Sequence, residues 1–313
     1  MHPKYRAGAR LIAFDVGSNT VRGMAARMRE DGALVVTGED FRTTALGRGL
    51  TGSRRMERPG IEATADFVAG FLARYGPADE VWCVGTAASR DADNADELRR
   101  ALAERAGVQL EVISPDTEAE LSYLGAIAAA CHPPGPHPAV ADIGGRSTEL
   151  VATEAGLVRS VSLPIGARSI TELHLPSECP GAGEIAAARA AADRALQAGA
   201  DIVAGAGTVI AVGGTACSAA LLADCTWCMS RSQLTGMRER LCAMTARQRR
   251  AVMAFDPERA EIICGGLVIL EALAAAAPGS ELHISPGGVR EGLLMRNTGA
   301  TRLVSDGEER RTL

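Results

Sequence analysis

Phe14–Thr20 reads FDVGSNT and Ala141–Thr148 reads ADIGGRST. Each ends an apolar run on an aspartate, then passes through one more apolar residue into glycine and small polar side chains. Glycine lets successive backbone N–H groups turn into one concavity, and hydroxyl and amide side chains add neutral donors, which suits a loop to phosphate. The candidate anion contacts are Gly17, Ser18 and Asn19 in the first turn and Gly144, Gly145, Arg146, Ser147 and Thr148 in the second. Asp15 and Asp142 would then serve a cation, because Mg2+ takes one or two carboxylates and completes its shell with water and phosphate oxygens. One such turn alone could equally be an Asx-turn closing a hairpin. Two in corresponding places point to a repeated α/β unit whose turns face one cleft.

Outward from these turns the chain alternates short apolar strands with Ala-rich helices. In the first half, LIAFDVG leads into the strand pattern VRGMAARM and ALVVTGE, which reads as an antiparallel meander. A helix over Gly60–Gly76, the strand DEVWCVGT, a helix near Asn94–Ala106, the strand QLEVIS and a helix from about Asp116 follow. The second half repeats the plan: a meander from AVADIGG to SVSLPIG, a helix over Glu184–Ala198 and the strand TVIAVGGT. Helical regions over Ser232–Ala254 and Pro257–Ala277 come next, and then a last strand, ELHISPGGVREGLL. The four prolines of CHPPGPHP (Cys131–Pro138) fit neither a helix interior nor a central strand, and place the crossing between halves. The expected organisation is two domains, residues 1–130 and 131–300, and a polar tail, residues 301–313, whose last stretch SDGEERRTL reads as disordered.

Composition narrows the function. Length suggests two domains, each able to bury its own core. A net charge of −5 and only ten aromatic residues argue against a partner that is a nucleic acid polymer, which needs a basic face or stacking rings. No apolar run is long enough to span a membrane, and the N-terminal residues carry no signal-peptide pattern, so a cytoplasmic protein without a membrane partner is expected. Lys4 is the single lysine; the other cationic side chains are arginines, which favour bidentate phosphate contacts. Eight cysteines in such a protein should be free thiols. Cys225 and Cys228 form a CxxC whose only candidate further ligands are Cys217 and Cys242.

The paired turns resemble the actin, sugar kinase and heat-shock chaperone ATPase superfamily, which implies two ribonuclease H-like domains with an inter-domain cleft. Further segments narrow the resemblance: GTAASRDADN (Gly85–Asn94), EVISPDTEAELSYLGA (Glu111–Ala126), SLPIGARSITE (Ser162–Glu172), IAVGGTACSAA (Ile210–Ala220) and SPGGVREGLL (Ser285–Leu294). In this order they look like the successive signatures of the exopolyphosphatase and guanosine pentaphosphate phosphohydrolase family, and they cover roughly Leu11–Leu294. The resemblance implies a Mg2+-dependent release of terminal phosphate from polyphosphate or from guanosine penta- or tetraphosphate. It implies that Glu118 activates the attacking water and that Arg22 and Arg90 contact phosphate. Gly213, Gly214 and Thr215 of IAVGGTACSAA are further phosphate candidates. Arg290 and Glu291 match the family too, and read as a structural pair beneath the second domain's cleft. Long members carry extra C-terminal helical domains, so the chain resembles the short, two-domain members. Homodimers are common in such folds.

Three positions depart from the family's pattern. Arg146 stands where a third glycine is usual, and either clashes with substrate or adds a cation to it; were its φ positive, a side chain there would cost on the order of 1 kcal/mol. Thr117 replaces an acidic residue before Glu118, and Pro286 replaces another before the late glycines. These departures keep a second reading open, a catalytically weakened sensor that binds polyphosphate or guanosine tetra- and pentaphosphate. A third, an ATP-dependent kinase or ATPase, would use IAVGGTACSAA as its adenosine contact.

Overall fold

The computed structural model describes residues 4–130, 135, 137–154 and 157–305. The chain divides into two units, one of residues 1–129 with 287–313 and one of residues 130–286.

In the first unit, β1 (Arg10–Val16), β2 (Thr20–Met28) and β3 (Leu34–Thr43) form the expected antiparallel meander. After α1 (Leu50–Ser53) and α2 (Arg58–Tyr75), β4 (Glu80–Gly85) pairs parallel to β1. Two helices, α3 (Ala87–Asp91) and α4 (Ala95–Ala106), lead to β5 (Glu111–Val112), parallel to β4, and to α5 (Pro115–Ala128). Strand β1 lies inside the sheet because both its faces are apolar. Ile12, Phe14 and Val16 pack with Ile61, Val68, Phe71, Leu98 and Leu102 of α2 and α4. Leu11 and Ala13 pack on the other face with Leu121 of α5. Side chains alternate along a strand, so Asp15 lies on the Leu11 and Ala13 face, the one α5 covers.

The second unit repeats the order. Strands β6 (Pro138–Ile143), β7 (Thr148–Glu154) and β8 (Leu157–Leu163) make the meander. Then come α6 (Ala167–His174), α7 (Ala182–Leu196), α8 (Ala200–Ala204) and β9 (Thr208–Val212), which is parallel to β6. The unit continues through α9 (Gly214–Leu222), β10 (Cys228–Ser230), α10 (Arg231–Cys242), α11 (Ala246–Val252), α12 (Ile263–Ala276) and β11 (Glu281–Ile284). Its core joins Ala141, Ile143 and Leu150 of the sheet to an α12 that is buried along nearly its whole length. Residues α13 (Val289–Thr298) and β12 (Leu303–Ser305) return to the first unit. The two six-stranded sheets run β12-β3-β2-β1-β4-β5 and β10-β11-β9-β6-β7-β8. Five strands correspond one to one: β3-β2-β1-β4-β5 with β8-β7-β6-β9-β11. This is the ribonuclease H-like repeat expected from the turns.

Four expectations change. The second unit ends at Pro286 rather than residue 300, because Val289, Leu293 and Leu294 complete the core of Leu11, Ala13 and Leu121. Within ELHISPGGVREGLL only Glu281–Ile284 is strand; Gly288 N–H donates to Glu291 Oε2 at 2.9 Å, so the Glu291 carboxylate satisfies the N-cap amide where α13 starts. The tail from residue 301 begins as a strand, Leu303–Ser305 pairing parallel to Leu34–Val36, while residues 306–313 lie outside the described residues. Helical region Ser232–Ala254 is two helices, the second started by the Thr245 cap. Of the proline-rich crossing, residues 131–134 and 136 also lie outside the described residues.

Candidate active site

The two turns are built alike. Gly17 N–H donates to Thr20 O at 3.1 Å, and Gly144 N–H to Ser147 O at 3.0 Å. A Cβ on either glycine would sit 3.0 Å from that same carbonyl, which is why both positions are glycine. In each unit a neighbouring segment takes up the turn's carbonyls. Thr44 and Ala45 N–H both donate to Asn19 O at 3.0 Å, and Gly47 N–H to Ser18 O at 2.6 Å. In the second unit the first turn of α6 does the same work: Ala167 N–H reaches Gly144 O at 2.9 Å, and Arg168 and Ser169 N–H reach Gly145 O at 2.7 and 3.0 Å. With the carbonyls held from behind, the peptide N–H groups of Ser18, Gly145 and Ser147 donate to nothing among the described residues. Oriented N–H groups without protein partners are what an anion requires.

Arg146 takes no positive φ, so the place where glycine was expected carries no backbone strain. Ser18 Oγ accepts from Ala88 N–H at 3.1 Å, tying the first turn to the start of α3 and leaving its own O–H to donate. Asn19 is buried beside Thr20, its amide 3.4 Å from the Thr20 hydroxyl.

Glu118 lies in the first turn of α5, only 6% exposed. Ser114 caps that helix, its Oγ accepting from Thr117 N–H at 3.1 Å, while the Thr117 hydroxyl receives a bond from Ser114 at 3.0 Å. The threonine that departs from the acidic pattern therefore serves the cap. Arg90 Nη1 sits 2.7 Å from Glu118 Oε2 and donates to Ile113 O at 2.9 Å. Its Nε and Nη2 donate to nothing among the described residues.

Arg22 stands directly across the β1–β2 ladder from Asp15, with Nη1 3.5 Å from Oδ2. Arg290 and Glu291 belong to the first unit, not the second. Arg290 Nε is 2.7 Å from Glu291 Oε1, Nη2 is 3.0 Å from Glu39, and Nη1 donates to Gly23 O. Burial opposes the Arg290 charge, but Glu291, Glu39 and Asp15 outweigh it and raise its pKa. Asp15 thus already faces guanidinium groups.

Asp142 meets a different neighbour. Directly across the β6–β7 ladder stands Glu149, 1% exposed, in the place Arg22 holds in the first unit. Ser162 Oγ donates to its Oε1 at 2.8 Å. Like charges directly opposite in a sheet repel, and a divalent cation would relieve them. Of the two expected metal carboxylates, Asp142 therefore fits Mg2+ better than Asp15. Sequence reading missed Glu149, although its spacing from Asp142 equals that of Arg22 from Asp15. Among the described residues no three His, Cys, Asp or Glu side chains gather, so water and phosphate oxygens would fill the rest of a shell.

Other candidates are placed elsewhere. Thr148 Oγ1 donates to Ile165 O at 2.7 Å, so its hydroxyl serves the sheet end. Gly213, with φ of 90°, lets the chain pass Ile143 O and Asp142 Oδ1, which a Cβ would approach to 2.7 and 2.9 Å. A Cβ on Gly214 would overlap the guanidinium of Arg259, which is buried and held by Asp256 at 2.8 Å. Thr215 is buried against Gly266 of α12, its Oγ1 without a hydrogen bond. The Gly213–Thr215 turn is thus covered by an arginine of the protein itself. Cys217 Sγ contacts Ser285 O and Cys228 Sγ contacts Glu281, both at 3.8 Å, while Cys242 is a buried free thiol.

Comparison with known proteins places this arrangement. The family model described as the Ppx/GppA phosphatase family matches residues 28–300. Exopolyphosphatase 2 of Mycobacterium tuberculosis is 31% identical over 290 residues, covering 85% of this chain and 90% of that protein. Exopolyphosphatase 1 of Mycobacterium bovis is 28% identical over 305 residues, covering 92% and 88%. Among solved structures, an Aquifex aeolicus Ppx/GppA family member superposes with a TM-score of 0.74 at 26% identity, covering 92% of this chain and 97% of that one. An exopolyphosphatase-like protein gives 0.83 at 27%, covering 94% and 99%.

Proposed function

Because the chain belongs to the Ppx/GppA phosphatase family, we propose that it removes terminal phosphate from inorganic polyphosphate or guanosine pentaphosphate, using Mg2+ at the Asp142–Glu149 pair. It is an exopolyphosphatase-type hydrolase. The observation that carries the reading is the anion turn built twice, each with its carbonyls taken up from behind and its N–H groups left to bind.

The parts divide as phosphoryl transfer requires. Hydrolysis of a phosphoanhydride needs the phosphate held, its charge met and a water oriented in line. In the first unit the peptide N–H and hydroxyl of Ser18 are donors for phosphate oxygens, and in the second unit the peptide N–H groups of Gly145 and Ser147 are. Glu118 takes a proton from the attacking water as its oxygen bonds to phosphorus and the bond to the leaving phosphate breaks. Arg90 fixes the Glu118 carboxylate by one nitrogen and offers Nε and Nη2 to phosphate oxygens. Bound Mg2+ would neutralise charge on the phosphate chain.

The sensor reading rests on the three departures, and each has an ordinary place: Arg146 is unstrained, Thr117 supports the Ser114 cap of α5, and Pro286 ends the second unit. The kinase reading needs an open Gly213–Thr215 turn, which Arg259 covers. Phosphate release from polyphosphate, guanosine pentaphosphate and ATP, measured in parallel with and without Mg2+, tests the reading. Release from either of the first two, dependent on Mg2+, is expected. Release from ATP alone, or polyphosphate binding without any release, would overturn it.

A further inference from the structure

We propose that the groove between α7 and α10 is a binding site for a small organic acid, a molecule with one carboxylate and an apolar body. No residue of either anion turn lines it, and Glu118 and Arg90 belong to the other unit.

The sequence builds the groove from small side chains around a buried charge. Glu271 is the single charged side chain of α12 and is only 8% exposed. A carboxylate buried on so apolar a helix requires cationic partners, and the two flanking helices supply them. Arg189 of α7 places Nη1 3.3 Å from Glu271 Oε1, and Arg238 of α10 places Nε 2.6 Å from Oε2. Along α7, Ala182, Ile185, Ala186 and Arg189 follow at the spacing of one helix face. Ala182, Ala186 and Ala243, which follows the last residue of α10, are too small to fill the space over Val268, and a cavity of about 560 Å³ is left. Volumes of roughly 300–1,000 Å³ are those of small-molecule sites.

The groove has a charged end and an apolar end. Arg189, Arg238 and Glu271 make the first. Ala182 stands seven residues before Arg189, roughly 10 Å along the helix, and Cys179 and Pro180 line the cavity beyond it. That end is tied shut: Cys179 S–H donates to Met244 O at 3.4 Å, and Arg249 Nη1 donates to Glu178 O at 2.9 Å.

Charge selects the ligand class. Each Glu271 oxygen already accepts from a guanidinium, which makes it a weak anchor for a cation. Donors are in excess. Arg189 gives Nε to Asp193 at 2.8 Å, and Arg238 Nη2 lies 3.5 Å from the exposed Glu239, while Arg189 Nη2 and Arg238 Nη1 donate to nothing among the described residues. A guanidinium edge with N–H groups to spare fits a carboxylate. Two arginines and two glutamates in the lining cancel in charge, so a singly charged carboxylate meets less repulsion than a doubly charged phosphate. The apolar body of the acid then displaces water from Ile185, Ala186 and Val268.

Octanoate is the probe, titrated by calorimetry into the purified full-length protein, with hydrogen exchange followed over residues 182–189 and 238–243. Octylamine carries the same chain with the opposite charge, and octanol the chain without charge. Saturable binding of one octanoate per chain, slower exchange in both segments, and affinities at least about tenfold weaker for octylamine and octanol are expected. Ala186 is exposed, so Ala186→Trp fills the groove without touching an ion pair; it should keep the parent's melting temperature and weaken octanoate by about tenfold or more. Arg189→Met leaves Glu271 paired with Arg238, and should weaken octanoate roughly tenfold without changing octanol. No saturable binding, octylamine bound as tightly as octanoate, or an Ala186→Trp protein that binds octanoate like its parent would overturn the site. Phosphate release enters none of these readouts, so the site stands or falls apart from the phosphohydrolase reading.

Discussion

Arg90 Nη1 holds Glu118 Oε2 at 2.7 Å, and the same nitrogen is anchored on Ile113 O at 2.9 Å. One arginine thus fixes the carboxylate of α5 to the end of β5. Glu118→Gln keeps the shape of the side chain and loses its basicity, so phosphate release should fall by about 10²–10⁴-fold while polyphosphate affinity stays within a small factor. Comparable loss of affinity in an equilibrium binding assay would remove Glu118 from its assigned role. Arg90→Lys should lower kcat and preserve part of it, because one donor can still reach the carboxylate but the fork is gone.

The Asp142 and Glu149 carboxylates make a prediction that does not depend on turnover. Glu149→Gln removes a like charge directly across the ladder from Asp142. Without Mg2+ the variant should melt about 1–3 °C above the parent protein, from relief of roughly 0.2–1 kcal/mol of repulsion. Mg2+ should raise the melting temperature of the parent and leave the variant unmoved. An equal Mg2+ shift in both would take Glu149 out of the cation site.

Strand patterns, the two turns and the position of Glu118 were legible because each depends on residues close in sequence. Glu149 was not, because only ladder register shows that it opposes Asp142. Thr148 and Thr215 carried the right hydroxyls, but tertiary contacts with Ile165 and Gly266 decide where they point. The return of α13 was hidden for a similar reason. SPGGVREGLL ends in apolar residues that suit a strand or a helix, and only Gly125 and Leu121, far earlier in the chain, make a helix the better fit.

Arg146 and Gly213 should both lose stability on exchange with a small residue, but for different reasons. Arg146 has no positive φ, so Arg146→Gly relieves no strain and should destabilise by about 0.5–1 kcal/mol through the freedom it adds to the unfolded chain. The variant should also raise KM for polyphosphate by removing a cation from the second turn. Gly213→Ala forces a Cβ to 2.7 Å from Ile143 O at a φ of 90°, and should cost about 1–3 kcal/mol in urea unfolding. A Gly213→Ala protein as stable as its parent would contradict the turn geometry.

Asp31 joins the β2–β3 turn to the returning chain. Bonds from Arg29, Arg302 and the Ala33 N–H hold its carboxyl down to about 2. A depressed folded-state pKa gives stability that is present above the unfolded value, near 3.8, and is lost as pH falls through about 2. The urea midpoint of the parent should therefore exceed that of Asp31→Asn by a constant amount above pH about 5, and the gap should close between about pH 4 and 2. A gap that persists at the acid end would show that Asp31 acts by something other than its charge.

The contact between α5 and α13 sets where Glu118 stands. A Cβ on Gly125 would overlap the Gly288 carbonyl, and one on Gly292 would overlap that of Leu121. Both clashes fall on backbone, which no rotamer change can relieve, so each Ala variant must separate the helices or tilt one of them. The expected cost is about 1–3 kcal/mol or more for either substitution. Because α5 begins with the Ser114 cap and reaches Glu118 in its first turn, Gly125→Ala should lower kcat more than it raises KM. Gly70, in α2, has nothing within reach of an added Cβ, so Gly70→Ala is the matched control and should gain about 0.5–1 kcal/mol. If Gly125→Ala unfolds at the parent's urea midpoint with an unchanged kcat, the close helix contact is not what positions the carboxylate.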